Sequence, residues 1–192
     1  MEKIPLLLID IENWRFCLYK APNDDLYCDF PYSPVSYADF SMLLKLNPLE
    51  VDKIKADRNY LFEMSDHVRD NYKIFLQRAL NEKDFLLLDK NDLLEVYSNS
   101  MSNNKNKFIE FCVQNKVKGC ENYIQEFDKI QDDIYTKIDK ITPNGMQLTS
   151  NEIENFCSEY SKEKYLWIRD KGIQALNRWL IWMCWHEGIL KS

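Results

Sequence analysis

Apolar positions fall first into short runs and then into long stripes at helical spacing. Leu6–Ile9 reads as a short buried strand and Phe16-Cys17-Leu18-Tyr19 as a second. Turn residues Pro22-Asn23-Asp24-Asp25 follow, and a run with Pro31 and Pro34 leads to Tyr37–Leu46, where Phe40, Leu43 and Leu44 fit one helical turn. Asn47-Pro48-Leu49-Glu50 has the form of a capping box with proline at the first helical position. From there Val51, Ile54, Arg58, Leu61, Ser65, Val68, Tyr72, Phe75 and Ala79 alternate by three and four, which predicts one helix to about Leu80. Arg58 and Ser65 interrupt the stripe, and Arg58 is expected to snorkel or to pair with a carboxylate.

Beyond Leu80 the pattern stays helical. A short apolar run, Phe85–Leu88, ends at Asp89, and Asp92 is placed to cap a turn through Val96. Residues 98–107 are the clearest polar linker, followed by a helix over Phe108–Val117 that stops at Gly119. Cys120, Phe127, Ile134 and Ile141 fall seven apart, predicting a second long amphipathic helix. Pro143-Asn144-Gly145 reads as a turn, and Thr149-Ser150-Asn151-Glu152 as another capping box opening a helix to about Lys162. The last helix runs from about Lys164 to Gly188, with Ile173, Leu176, Trp179, Leu180 and Met183 on one face. The predicted fold is mainly α: a single domain over 1–192, a bundle of about five helices with a small N-terminal strand or extended element. Its parts are the extended N-terminal element at 1–35, helices at 36–97, the polar loop at 98–107 and helices at 108–192. With 192 residues, four glycines and six prolines, the composition agrees, being too poor in turn formers for a sandwich and lacking a Gly-rich phosphate loop.

Charge narrows the class of partner. The chain carries a net charge of −6, all of it in residues 1–96, where 18 acids meet 12 bases. That balance disfavours nucleic acid and favours a basic protein partner. No run approaches the length that spans a bilayer, and the start lacks the apolar region and cleavage site of a secretory signal, so a cytoplasmic protein is expected. The six cysteines contain no Cys-x-x-Cys pair and read as free, reduced thiols; the two histidines, His67 and His186, do not complete a metal cluster. No cofactor and no metal is expected.

Leu6-Leu7-Leu8-Ile9-Asp10-Ile11-Glu12-Asn13, an apolar run ending in a carboxylate, resembles the opening strand of the NYN branch of PIN-like nucleases. The resemblance implies an α/β fold in which Asp10 and Asn13 help organise a metal-dependent cleavage site, with Asp89 and Asp92 as further carboxylates. It covers about eight of 192 residues. The aromatic content of 14% supports a different reading. Asp24, Asp25 and Asp29 beside Tyr27 and Tyr32 suit recognition of Arg or Lys, and Trp182 and Trp185 near the end of the last helix suit a binding patch or a homodimer contact. In the absence of a catalytic motif, the favoured function is a non-enzymatic inhibitor or immunity protein that occludes a basic toxin or enzyme. A helical scaffold or adaptor and the nuclease are the alternatives.

Overall fold

The computed structural model describes residues 3–35, 38–99, 105–143 and 146–191. The chain divides into two compact units, Met1–Asp89 and Lys90–Ser192. Instead of a helical bundle with a minor strand, it is an α/β fold, 59% helical and 20% strand, with a curled mixed sheet of five strands that forms a half-barrel.

The sheet belongs to the first unit. It consists of β1 (Ile4–Glu12), β2 (Phe16–Lys20), β3 (Leu26–Val35), β4 (Ala38–Lys45) and β5 (Phe85–Leu88), in the order β4-β3-β2-β1-β5. Hairpins join the first four strands antiparallel, and β5 adds parallel to β1 along Ile4–Leu7. The expected helix over Tyr37–Leu46 is β4, with Tyr37 itself outside the described residues. Met42 and Leu44 face one side of the sheet and Leu43 the other, all buried, so the strand reads as a continuous apolar run without alternation. β3 keeps its two prolines because β2 pairs with it only as far as Asp29, leaving Pro31 and Pro34 where one side of the strand is an edge.

Three helices cover one face: α1 (Pro48–Ala56), α2 (Tyr60–Asp70) and the short α3 (Tyr72–Phe75). Leu61, Met64, Val68 and Phe75 pack there on Phe16, Leu18, Cys28, Phe30 and Leu44. The Asn47–Glu50 capping box opens α1 as expected, but the predicted single helix to Leu80 is broken at Asp57-Arg58-Asn59. The Asp57 carboxylate accepts from the Asn59 amide (2.9 Å), a local bond that competes with helix propagation.

The other face is closed by the chain itself. Leu80 N donates to Leu43 O beside β4, and five residues later Phe85 starts β5 at the far edge. Five residues reach about 17 Å, whereas five strand spacings across a flat sheet measure about 24 Å. The sheet must therefore curl, and this strap buries Leu6, Tyr19, Tyr27, Leu43 and Phe85 beneath Leu80.

The second unit is helical: α4 (Lys90–Asn99), α5 (Lys105–Gln114), α6 (Cys120–Ile141), α7 (Ser150–Lys164) and α8 (Asp170–His186). The heptad-spaced α6 buries Phe127, Ile130, Ile134 and Ile138, and Thr149 caps α7 through its box with Glu152. The ends of the expected 98–107 linker lie in α4 and α5, and its residues 100–104 lie outside the described residues, as do Asn144 and Gly145 of the expected turn. Among the described residues, no helix is long and apolar enough to cross a membrane. α4 and α8 approach closely at Gly172, where an added Cβ would stand 2.5 Å from Asn91 Oδ1 and 2.8 Å from Ile168 Cγ2. Asn91 has little freedom to give way, because it accepts from Arg169 N and donates to Trp167 O. Gly172→Ala is thus expected to cost about 1 to 3 kcal/mol by overpacking, measured as a lower denaturation midpoint of the full chain.

Candidate functional site

The β1–β2 hairpin is exposed at its tip and held by a network of side-chain contacts. Its turn runs Glu12-Asn13-Trp14-Arg15, closed by Arg15 N donating to Glu12 O (3.0 Å). Trp14 sits at φ +62°, a conformation that glycine adopts freely and a bulky side chain rarely does. The residue is nonetheless 85% exposed.

Three contacts from α2 and the segment before it hold the hairpin. Ser65, buried in α2, donates to Arg15 O (2.8 Å), and the Arg15 guanidinium makes two bonds to Asp66, at 2.8 and 3.1 Å. Arg58 makes two bonds to Asp10, at 2.7 and 2.9 Å, and lies 3.6 Å from Glu12. Phe62 receives both guanidiniums on its ring, Arg15 at 5.7 Å and Arg58 at 5.5 Å. The bonded arginines hold both carboxyls, Asp10 and Asp66, below the usual carboxylate range. Arg58 and Ser65, the two polar interruptions of the apolar stripe, are thereby accounted for. Each reaches back to the hairpin.

Asp10 is therefore engaged by an arginine, Asn13 is exposed in the turn, Asp89 follows β5, and Asp92 lies in α4 paired with Lys171. Among the described residues, no group of three or more His, Cys, Asp or Glu side chains is arranged to hold a metal ion.

The expected acid-and-aromatic patch is spread over several surroundings. Asp24 and Asp25 occupy the β2–β3 turn, where Lys20 and Lys45 pair with them. Tyr27 is buried against Phe85, and Asp29 points to the same face by strand alternation, whereas Tyr32 lies on the helix-covered face, stacked on Tyr72. Trp182 and Trp185 belong to the second unit; Trp182 stacks on His186, and Trp185 is 64% exposed. A half-open cavity of about 210 Å³ also lies against α2, lined by Glu50, Tyr60, Glu63, Met64, His67 and Phe75. Its most buried acid, Glu50, is already bonded twice to Arg78.

Sequence reasoning missed Trp14. The available signal was a lone tryptophan among Glu12, Asn13 and Arg15 between two strand-like runs, where burial has no claim on an aromatic ring. No protein-family model, curated protein or solved structure matches the chain.

Among the described residues, Asp29 is the carboxyl that its surroundings raise well above the ordinary range. Burial, and then the charge of Glu82 on the strap, push it up to about 6, against hydrogen bonds from Ser41 and the Met42 amide. Its Oδ1 is buried without a hydrogen-bond partner. Because the folded-state value lies above the unfolded one, the Asp29 contribution is fully favourable below about pH 4 and is lost as pH rises through about 6. Asp29→Asn is expected to gain about 1 to 3 kcal/mol over the parent at pH 7, a gain that vanishes near pH 4 in paired denaturant titrations.

Proposed function

We propose that this protein is a non-enzymatic, cytoplasmic protein-binding domain of the inhibitor or immunity type, which presents Trp14 to a basic partner. The observation that carries this reading is a tryptophan in a left-handed turn position, with most of the residue in solvent. An L residue in that conformation gives up roughly 1 to 2 kcal/mol, and a residue so exposed returns little of it through packing. A residue that costs the fold and packs on little within it is what a binding anchor looks like.

Two further features favour this assignment. The hairpin is fixed by paired arginines and a buried serine, so little conformational freedom remains to be lost on association. The first unit also holds 16 acids against 11 bases, a net charge of −5, while the second holds 15 against 14. That field accelerates encounter with a basic surface, and a tryptophan face attracts Lys and Arg side chains.

Trp14→Gly separates binding from folding, because glycine relieves the turn while removing the ring. The variant is expected to unfold at the same or higher denaturant concentration and to bind the partner about 30-fold more weakly, the loss typical of a central aromatic anchor. Tagged parent and variant are compared by capture from host cells in low salt with a salt-gradient elution. A basic protein held stoichiometrically by the parent and lost by the variant supports the reading; identical captures, or an unfolded variant, reject Trp14 as the anchor.

A further inference from the structure

The half-open cavity against α2 repeats a chemistry that the first unit uses for its own arginines. Arg15 and Arg58 each stand over the Phe62 ring and make two bonds to a carboxylate, Asp66 and Asp10 respectively. Arg78 stands 5.8 Å from the Phe75 ring centroid and makes two bonds to Glu50, at 2.8 and 2.7 Å. In the cavity, Tyr60, Glu63, Met64 and His67 are spaced so as to share one side of α2, away from Phe62, Ser65 and Asp66, which hold the hairpin. Met64, Phe75 and Glu50 are buried at its base, and Glu63 and His67 are exposed at its rim. His67 is set edge-on to Phe75 at 5.3 Å, and its ring is steadied by Asn71 Nδ2, 3.3 Å from Nδ1. Among the described residues, Glu63 joins no hydrogen bond or ion pair.

We propose that this cavity takes the guanidinium of an arginine side chain from the basic partner, an assignment that rests on the reading above for the source of the arginine. Glu63 accepts two parallel N–H bonds from the fork, the flat cation lies against Tyr60 and Phe75, and the methylene stem packs on Met64. The volume of about 210 Å³ suits a group of this size, since roughly 150 Å³ houses a benzene ring. Charge agrees with the fit. Glu50 and Arg78 offset one another, so Glu63 is the cavity's carboxylate left to receive a cation, and the first unit's net charge of −5 adds to its attraction. Lys53 opposes it, because its Nζ stands 4.8 Å from the Tyr60 ring centroid, where it repels an incoming cation.

The probe is N-acetyl-arginine methylamide, titrated into the full chain while the Met64 methyl resonance is followed by NMR. Saturable shifts are expected at Met64 and along residues 60–67, with affinity about tenfold weaker in Glu63→Gln. Lys53→Met should bind more tightly, a gain that a purely structural role for Lys53 would not produce. Both substituted side chains are exposed, so the variants keep the fold. N-acetyl-lysine methylamide should bind more weakly than the arginine probe, since an ammonium neither matches the fork nor stacks. Trp14→Gly should bind the probe as the parent does, which separates this site from the anchor. A bound probe with a failed capture removes the partner reading alone, and a successful capture with no bound probe removes the cavity alone. Free arginine shifting Met64 where the blocked form does not makes the source a metabolite and overturns the partner assignment. Absence of a saturable shift at Met64, or equal affinity in the parent and Glu63→Gln, overturns the site itself.

Discussion

Five residues carry the chain from one edge of the first unit's sheet to the other, and much of that unit follows from their shortness. Leu80 is bonded beside β4 and Phe85 is already in β5, so the intervening sheet is bent into a half-barrel. The bend gives the sheet an interior that no helix needs to cover, filled by Leu6, Tyr19, Tyr27, Leu43 and Phe85. It also brings Glu82 on the strap toward Asp29 on β3, with the Ser41 hydroxyl bonded to Glu82. A hydroxyl has one hydrogen to give, and two carboxylates compete for it. The perturbed Asp29 is thus a by-product of the same closure that builds the core.

The hairpin obeys a different constraint. β5 pairs with β1 only along Ile4–Leu7, so the outer half of β1 and its turn rely on β2 and on α2 for support. The helix break at Asp57-Arg58-Asn59 then has a structural use, since Arg58 lies at the bend and reaches Asp10 and Glu12. The arginine pairs are partly exposed and individually modest. Their collective effect is geometric, because with Ser65 they fix the turn on which Trp14 stands.

The local chemistry of the helices was legible in the sequence. The capping boxes at Asn47 and Thr149 and the heptad spacing of α6 appear where cap residues and periodicity put them, whereas Phe85–Leu88, within a stretch expected to be helical, is the strand β5. Leu6–Ile9 and Phe16–Tyr19 were legible as strands and lie in β1 and β2, but the rest of the sheet was not, for reasons specific to two strands. β3 carries prolines that normally exclude a strand, tolerated because β2 stops pairing at Asp29, and β4 is buried on both faces, which erases its alternation. The chemistry of the candidate site was visible residue by residue, but not its grouping. Tyr27 and Tyr32 are close in sequence on one strand and fall on opposite faces, while Arg15 and Asp66 are joined across half the unit. Trp14 obeys no periodicity at all.

The parallel pairing of β1 with β5 also sets an order of events during synthesis. β1 is the first strand to be made and β5 the last of its unit, with Leu7 and Leu88 as register partners. Until residue 88 is available, β1 has an unfilled edge along Ile4–Leu7, and the strap cannot draw the sheet into its curve. Hairpins β1–β2 and β3–β4 can form from local contacts in the meantime, and the helices can dock on their own face. A unit that folds as it is made has its concave side open until residue 88 arrives, whatever the state of its helical side. In that stage the row Leu6, Tyr19, Tyr27 and Leu43 faces water, making it the surface most exposed to mispairing or chaperone capture before Phe85 arrives.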